Sequence, residues 1–272
     1  MIDPKTLALE IASAHADRRI IEAPSTRDAA FDLATAYATE AQLARLRREG
    51  GHATVGRKIG FANKAMWRVL KLDTLVWGHM YDDTVRYADG NAATLSIGRM
   101  VAPKIEPEIV FKMSRPLADG DVEAGAVLGA VEWIALGFEI IDCAYPDWKF
   151  QPVDFVASYG LHAGLIVGAP LRVQAGMIPE LVEHLPSFTV KLQKHGAVVA
   201  EGSGKNSLRS PALAVGELAA ALSRQAGTAP LSAGELVSSG TLTESQFIAA
   251  GETWTAAVDG LSLPDLTVRT VA

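Results

Sequence analysis

The stretch from Lys104 to Phe111 constrains the fold most, because two carboxylates interrupt an apolar run of strand length there. In an extended strand, Glu106 and Glu108 point to the same face, with Cα atoms about 7 Å apart. Two like charges beside apolar residues repel each other and are costly to remove from water. A bound divalent cation would remove that cost, since hard cations prefer oxygen ligands. An edge strand with two solvated glutamates is the alternative.

Two helices are predicted at the start of the chain. Apolar residues recur at helical spacing over residues 4–20, where Asp3 would cap the helix, and over residues 25–48, where Asp28 would cap a longer one. A glycine pair follows the second helix and would end it. These helices would form an N-terminal helical part, residues 1–51.

Strand-length runs dominate the remainder of the chain. Strands are predicted over 55–61, 105–112, 136–141, 163–167, 188–193, 197–201, 235–238, 253–258 and 266–270, and a loop leading into a strand over 76–87. Helices are predicted over 64–70, 122–135, 152–159 and 211–223. Because only one clear helix crosses between the late strands, the pattern favours a mixed α+β fold over a regular βαβ fold. We expect a single domain, residues 1–272, with a β-rich catalytic core over 52–272.

Composition excludes several classes of function. The net charge of the 272-residue chain is −6 and no basic stripe is present, which argues against nucleic-acid binding. No apolar run reaches the length of a membrane span, and the N-terminus lacks a secretory pattern. A single cysteine, Cys143, rules out an intrachain disulfide framework, and we therefore expect a cytoplasmic protein.

Five motifs in order carry a resemblance to a known family. They are Lys58-Ile59-Gly60, Gly78-His79-Met80-Tyr81-Asp82-Asp83, Glu106-x-Glu108, Glu139-Ile140-Ile141-Asp142 followed by Asp147-Trp148, and Ser238-Ser239-Gly240-Thr241-Leu242-Thr243. Together they resemble the 2-keto-4-pentenoate hydratase / 4-oxalocrotonate decarboxylase family of the fumarylacetoacetase superfamily. The resemblance covers most of the chain from about residue 20 onward.

The resemblance implies a mixed β-roll-like core, like the fumarylacetoacetase C-terminal domain, with an N-terminal helical subregion. It also implies that Glu106, Glu108 and Glu139 hold a divalent cation, Mg²⁺ or Mn²⁺, with Lys58 near the metal and the substrate. Three carboxylate oxygens, two oxygens of a 2-oxo acid and one water would complete the octahedron that Mg²⁺ requires. A cation beside Lys58 would lower the pKa of its ammonium and make it a plausible proton shuttle.

Three further residues are candidates for acid–base chemistry. His79 and His162 could act as acid or base, or could simply be hydrogen-bonded packing residues. Asp82 could orient Lys58 or a metal-bound water, with an exposed turn as its alternative.

The remaining candidates concern the substrate. Thr241 and Lys149 could bind the substrate carboxylate, although Lys149 is equally consistent with a surface position. Tyr159 and His162 stand where the family tends to have small polar residues, and Trp67 and Trp77 add aromatic bulk. We therefore expect a larger or aromatic-derived substrate.

The predicted function is a metal-dependent hydratase, a lyase of aromatic-compound catabolism. It would add water to a 2-hydroxydienoate, or to the unsaturated 2-oxo acid derived from it, and give a 4-hydroxy-2-oxo acid. The alternatives are a 2-oxo acid decarboxylase of the 4-oxalocrotonate type, an acylpyruvate-type C–C hydrolase and a catalytically silent partner subunit. We expect a homo-oligomer that could also associate with a related enzyme.

Overall fold

The computed structural model describes residues 2–117, 120, 122–225 and 227–272. The helices are α1 (Pro4–Ala16), α2 (Pro24–Arg27), α3 (Leu33–Glu49), α4 (Lys64–Leu70), α5 (Ala124–Leu128), α6 (Pro152–Ala157), α7 (Ile178–His184) and α8 (Pro211–Arg224). The strands are β1 (Thr54–Gly60), β2 (Val76–Tyr81), β3 (Val85–Tyr87), β4 (Ala92–Ser96), β5 (Pro103–Met113), β6 (Val131–Asp142), β7 (His162–Val167), β8 (Leu171–Arg172), β9 (Thr189–Lys194), β10 (Ala197–Ser203), β11 (Leu236–Ser238), β12 (Gln246–Phe247), β13 (Thr253–Asp259) and β14 (Leu266–Val271).

The N-terminal part is helical, but its second predicted helix is divided in two. The Asp3 carboxylate accepts the Thr6 N–H at 2.8 Å and caps α1, as predicted. Asp28 does not cap the start of the long helix: it ends α2, and its carboxylate accepts the Ala30 N–H in the turn before α3. Asp32 caps α3 instead, because its carboxylate accepts the backbone N–H three residues later. The prediction of one continuous helix over 25–48 was therefore wrong.

Two sheets form the remainder of the fold. The larger has the strand order β2-β1-β11-β5-β6-β7-β3, with β12 added to β5 and β8 to β6. The smaller has the order β10-β9-β13-β14-β4. A hairpin joins β9 to β10 through His195 and Gly196, which both have positive φ, at 50° and 82°. The α+β prediction is confirmed.

Two segments differ from their predicted conformation. The predicted helix over 122–135 is helical only in α5, because residues from Val131 onward join β6 and pair with β5. Residues 76–87 form two strands, since β2 pairs along β1 and β3 pairs along β7. In both cases pairing with a distant strand decides the conformation, which local periodicity does not reveal.

The hydrophobic core joins the helical part to the large sheet. One continuous cluster of buried apolar side chains includes Leu7 of α1, Leu43 of α3, Ile109 of β5, Ile140 of β6 and Leu218 of α8. Among the described residues, no helix combines the length and the apolarity that crossing a bilayer requires. The centre of the large sheet is therefore buried against helices, and any charged group there needs a partner.

Candidate metal centre

Three glutamates converge where β5 and β6 pair. The antiparallel register places Glu106 directly opposite Glu139, and Glu108 follows two residues later on β5. One carboxylate oxygen from each of the three lies within 4.8 Å of the others. Glu108 and Glu139 are fully buried, whereas Glu106 is partly exposed to a cleft. The structure thus brings together the three carboxylates that the sequence singled out.

The loop after β11 holds Glu108. The Ser238 hydroxyl donates to Glu108 Oε2 at 2.6 Å, and the Gly240 N–H donates to the same oxygen at 2.8 Å. Gly240 has a φ of 95°, and a Cβ there would lie 2.8 Å from the Ala62 side chain. The other oxygen, Oε1, is buried and has no hydrogen-bond partner among the described residues. A buried oxygen without a donor is what a metal ligand requires.

The Glu139 carboxylate lies between the Lys58 ammonium and the His162 ring. Lys58 Nζ is 3.1 Å from its Oε2, and His162 Nδ1 is 3.0 Å from its Oε1. The other ring nitrogen of His162 lies 2.9 Å from the Thr84 hydroxyl. Because both ring nitrogens are engaged, His162 fixes the position of the Glu139 carboxylate.

Lys58 is buried at the base of the cleft. It lies on β1, and its ammonium sits 4.6 Å from the centre of the Phe155 ring. Gly60 makes room for that ring, since a Cβ there would lie 2.3 Å from Phe155 Cζ. Burial lowers the pKa of Lys58, but Glu139 and the other two carboxylates raise it, and the net shift is upward. The lowered pKa expected from the sequence would require a bound cation.

The pKa values of the three carboxyls are driven apart by their surroundings. Burial raises the pKa of Glu106 to about 7, although Lys58 opposes the shift. Burial, Glu139 and Glu106 raise the pKa of Glu108 well above its usual range. Burial also acts on Glu139, but Lys58 and His162 outweigh it and lower the pKa of that carboxyl.

The donor set fits a divalent cation. Three carboxylates face one ammonium, which leaves an excess of negative charge in a buried region. The unpartnered Glu108 Oε1 supplies an available oxygen ligand. Carboxylate oxygens are the ligands that Mg²⁺ and related hard cations prefer.

The cluster opens into a cleft of about 550 Å³. Its wall includes Lys58, Gly60, Phe61, Ala62, Asn63, Met66, Lys104, Glu106, Ile141, Trp148, Phe150, Phe155, Leu161, Asn206, Gly240, Thr241, Thr243, Glu244 and Ser245. A larger hollow of about 650 Å³ lies beside α3 and α8, but none of the three glutamates lines it. The cleft that reaches Glu106 is therefore the candidate substrate site.

Two of the predicted acid–base residues lie away from this cleft. His79 pairs with Glu40 of α3. The Glu40 carboxylate accepts a hydrogen bond from the His79 backbone N–H and lies 2.7 Å from the Nδ1 of the His79 ring. Asp82 is exposed in the turn after β2 and lies 3.5 Å from His52. β2 is an end strand of the large sheet, so its residues do not reach the carboxylates on β5 and β6.

Among the predicted substrate residues, only Thr241 lines the cleft. Tyr159 lines a different hollow, where its ring contacts those of His15 and Tyr81. The Lys149 side chain is 81% exposed and lies 3.4 Å from its neighbour Asp147. Tyr159 and Lys149 therefore lie outside the cleft that was expected to contain them.

The aromatic bulk predicted around the pocket comes from other residues. Trp67 is buried and donates its indole N–H to the Phe61 carbonyl, and Trp77 packs against Tyr37 of α3. The cleft instead contains Phe61, Trp148, Phe150 and Phe155, and no role was predicted for these side chains. Phe61 and Trp148 have positive φ, at 57° and 56°, which is uncommon for aromatic residues and is not visible in the sequence.

Comparison with known proteins places the chain in a family. The fumarylacetoacetate (FAA) hydrolase C-terminal family profile matches residues 73–269, most of the chain. The chain belongs to this family. One similar protein is the 2-hydroxyhexa-2,4-dienoate hydratase of Comamonas testosteroni. The two sequences are 30% identical over 226 residues, which are 83% of this chain and 82% of the relative. Another is the 4-oxalocrotonate decarboxylase of Pseudomonas sp. strain CF600, 27% identical over 229 residues, 84% of this chain and 83% of the relative. The family resemblance predicted from the motifs is confirmed.

Solved structures share the fold. The 4-oxalocrotonate decarboxylase from Pseudomonas putida G7, complexed with magnesium and adipate, superposes with a TM-score of 0.88 at 24% identity, covering 98% of this chain and 97% of that one. The fumarylpyruvate hydrolase from Pseudomonas aeruginosa, in complex with Mn²⁺ and pyruvate, gives a TM-score of 0.57 at 18% identity, covering 79% and 88%. These structures confirm the predicted fold, a β-roll-like core with an N-terminal helical subregion.

Replacing Glu108 by Gln tests the centre directly. Gln can keep a hydrogen bond from Ser238 but supplies no negative charge, so we expect affinity for Mn²⁺ to fall by more than the roughly tenfold that loss of a supporting hydrogen bond costs. Calorimetric titration measures the affinity, and circular dichroism confirms the fold. Glu132→Gln, a partly exposed position on β6 outside the cluster, serves as the control. Unchanged Mn²⁺ affinity in Glu108→Gln would contradict the assignment.

The raised pKa values of Glu106 and Glu108 predict a pH-dependent effect of metal on stability. Their folded-state pKa values exceed the usual 4.5, so the stability they contribute to the metal-free protein is present below that value and is lost as pH rises through the raised pKa values, which is about 7 for Glu106. A cation offsets this loss only where the carboxyls are deprotonated. We expect a fixed Mg²⁺ concentration to raise Tm more at about pH 8 than at about pH 6, as measured by thermal melts. Equal increases at both values would contradict this prediction.

Proposed function

We propose that this chain is a divalent-metal-dependent hydratase that adds water to a 2-hydroxy-2,4-dienoate, or to the unsaturated 2-oxo acid formed from it. The product is a 4-hydroxy-2-oxo acid. The observation that carries the proposal is the convergence of three carboxylates at the base of a cleft, with Lys58 3.1 Å from Glu139. Relatives named as hydratases of 2-hydroxyhexa-2,4-dienoate and 2-keto-4-pentenoate support the reaction class, and we place the reaction in the catabolism of aromatic compounds.

Glu106, Glu108 and Glu139 are the residues that would hold the cation, with Mg²⁺ or Mn²⁺ as the candidate ions. When bound, such a cation polarises a 2-oxo group and stabilises the negative charge of an enolate. Ser238 and His162 serve this centre indirectly, because they fix the Glu108 and Glu139 carboxylates in place.

Lys58 is the proposed proton carrier. Its Nζ lies at the base of the cleft, where a substrate next to Glu106 would be within its reach. In the first half of the reaction, the 2-hydroxyl of the dienol loses a proton and C5 gains one, which gives the 2-oxo form; in the second half, water adds at C4 and loses a proton, and C3 gains one. One ammonium that alternately gives and takes a proton at Nζ serves both halves.

The surroundings of Lys58 keep bulk water away from the reacting atoms. Phe155 and Leu161 are buried, and both line the cleft beside the lysine. Exclusion of water strengthens the charge interactions there. Thr241 is part of the same wall and remains a candidate contact for the substrate carboxylate, although its hydroxyl already donates to Thr243 O at 2.8 Å.

Decarboxylation of a 4-oxalocrotonate-like acid is the second candidate function. The same enolate would form by loss of CO₂, and a relative of that name is 27% identical over most of the chain. A catalytically silent partner subunit is disfavoured, since a silent chain would not need a buried, unpaired Glu108 oxygen beside Lys58.

Location and assembly complete the proposal. We propose a cytoplasmic homo-oligomer; the one cysteine, Cys143, is free and buried, which suits a reducing compartment. Association with a related enzyme of the same pathway is part of the proposal and is open to test by size-exclusion chromatography.

Product identification tests the proposed reaction. We expect 2-hydroxypenta-2,4-dienoate to be consumed in the presence of Mg²⁺ or Mn²⁺ with gain of one water and no loss of carbon, as measured by mass spectrometry. Chelation of the metal should abolish the reaction. Release of CO₂ from 4-oxalocrotonate without hydration of the dienoate would favour the decarboxylase, and C–C scission of an acylpyruvate would favour the hydrolase.

Lys58→Met should separate catalysis from metal binding. Without its proton carrier the enzyme should lose roughly 10²- to 10⁴-fold in kcat. Removal of a positive charge beside the carboxylates should leave Mn²⁺ affinity unchanged or increased. Lys112→Met on β5 is the matched control, since Lys112 pairs with Glu132 outside the centre. Full activity in Lys58→Met would contradict the assigned role.

A further inference from the structure

We propose that the substrate carries a bulky apolar tail, such as an aromatic ring, beyond the carbons that react, and not a second carboxylate. This inference rests on the proposed function and names the substrate class for the same cleft. It comes from the side chains that line the cleft between the carboxylates and the surface.

A row of aromatic rings leads from the metal centre to the surface. The Phe155 ring lies 4.6 Å from Lys58 Nζ, and the Phe150 ring follows at 6.4 Å between ring centres. Trp148 is 6.3 Å from Phe150, and Phe247, which is 61% exposed, is 6.0 Å from Trp148. A flat apolar group that leaves the centre along this row meets ring faces and edges throughout.

Three polar side chains of the cleft wall already donate to backbone carbonyls, whereas the buried indole N–H of Trp148 has no hydrogen-bond partner among the described residues. The Asn206 amide donates to the Leu242 carbonyl at 2.8 Å, and the Thr241 hydroxyl donates to the Thr243 carbonyl at 2.8 Å. The Thr243 hydroxyl donates in turn to the carbonyl of its neighbour at 3.1 Å. These groups hold their own loop together, and a carboxylate on the tail would have to break such bonds to be solvated.

Two charged side chains of the cleft wall, Lys104 and Glu244, bear on the choice between an apolar and an anionic tail. The Lys104 ammonium lies over two ring faces, 4.1 Å from the centre of Trp148 and 4.5 Å from that of Phe247. A cation in this position is stabilised by the rings and keeps them packed together. Glu244 lines the same cleft, and its negative charge would repel a second carboxylate.

The size of the cleft agrees with a tail of this kind. Its volume of about 550 Å³ lies within the roughly 300–1,000 Å³ typical of sites for drug-sized ligands. A five-carbon dienoate with one carboxylate would leave much of the aromatic row without a partner. The positive φ of Trp148 keeps its ring at the cleft, a costly conformation that surrounding contacts must stabilise.

Binding of three unreactive 2-oxo acids tests the tail independently of turnover. The probes are 2-oxopentanoate, 2-oxo-5-phenylpentanoate and 2-oxohexanedioate, which share the first five carbons and differ at C5. Calorimetric titration is performed on the full chain with saturating Mg²⁺. We expect the phenyl compound to bind at least about tenfold more tightly than either of the others, since ring burial removes apolar surface from water. Affinities within threefold of one another would overturn the proposal.

Substitutions distinguish binding by the aromatic row from binding by Lys104. Phe150 is half-buried, and Phe150→Ala should lower the affinity ratio of the phenyl compound to 2-oxopentanoate at least about fivefold. Tyr87→Ala, an exposed aromatic on β3 outside the cleft, should leave that ratio unchanged. Should Phe150→Ala fail to fold, Phe150→Leu and the wild-type binding order still decide the question. Tightest binding of 2-oxohexanedioate, lost in Lys104→Gln, would show a second carboxylate instead and overturn the proposal.

Turnover distinguishes failure of this inference from failure of the proposed function. The corresponding dienoates are 2-hydroxypenta-2,4-dienoate and its 5-phenyl and 5-carboxy derivatives. Hydration of the unsubstituted compound with the highest kcat/KM would contradict the apolar tail and leave the hydratase intact. Tight binding of the phenyl 2-oxo acid without hydration of any dienoate would contradict the hydratase and support the tail.

Discussion

The fold depends on a buried imbalance of charge: three carboxylates and one ammonium lie in the middle of an apolar sheet. Isolated charges are far more stable in water, so each oxygen there needs a donor or a cation. His162 hydrogen-bonds one oxygen of Glu139, Lys58 forms an ion pair with the other, and the loop after β11 satisfies one oxygen of Glu108. The remaining negative charge explains why a divalent cation is the natural complement of this structure.

Distant parts of the chain cooperate to make this arrangement. The strand β1 carries Lys58 and pairs with β11, which leads into the loop that donates to Glu108. The pairing of β5 with β6 brings Glu106 opposite Glu139. These four strands are consecutive in the large sheet, in the order β1-β11-β5-β6. The site is thus a property of sheet order, with helices serving mainly to bury it.

Much of this arrangement is predictable from residue patterns. Lys58, Glu106, Glu108 and Glu139 stand out in the sequence because each is a charged residue within an apolar strand. Burial of such a charge is costly unless it has a partner, so these residues are expected to lie together at a site. The cap of α1 and the turn between β9 and β10 can be predicted from the residues at those positions. The second predicted helix is instead two helices, because Asp32 caps a new helix at that point.

The remainder depends on contacts that no local pattern records. His79 and Tyr159 have side chains of the kind found in active sites, but both lie elsewhere. His79 on β2 pairs with Glu40, and the Tyr159 ring contacts the Tyr81 ring. The cleft aromatics are ordinary core residues by sequence, and only the backbone turn at Trp148 directs its ring towards the site. The sequence tells which side chains are present, whereas the direction in which each side chain points depends on the neighbouring helices and strands.

The register between β5 and β6 also restricts how this chain can change over time. Because alternate residues of a strand face opposite sides of a sheet, insertion or deletion of a single residue before Glu106 within β5 would move the paired carboxylates to the other face. Substitutions along these two strands change one contact each, but a change in length would dismantle the whole centre. Length variation among descendants of this sequence is therefore confined to the connections between strands.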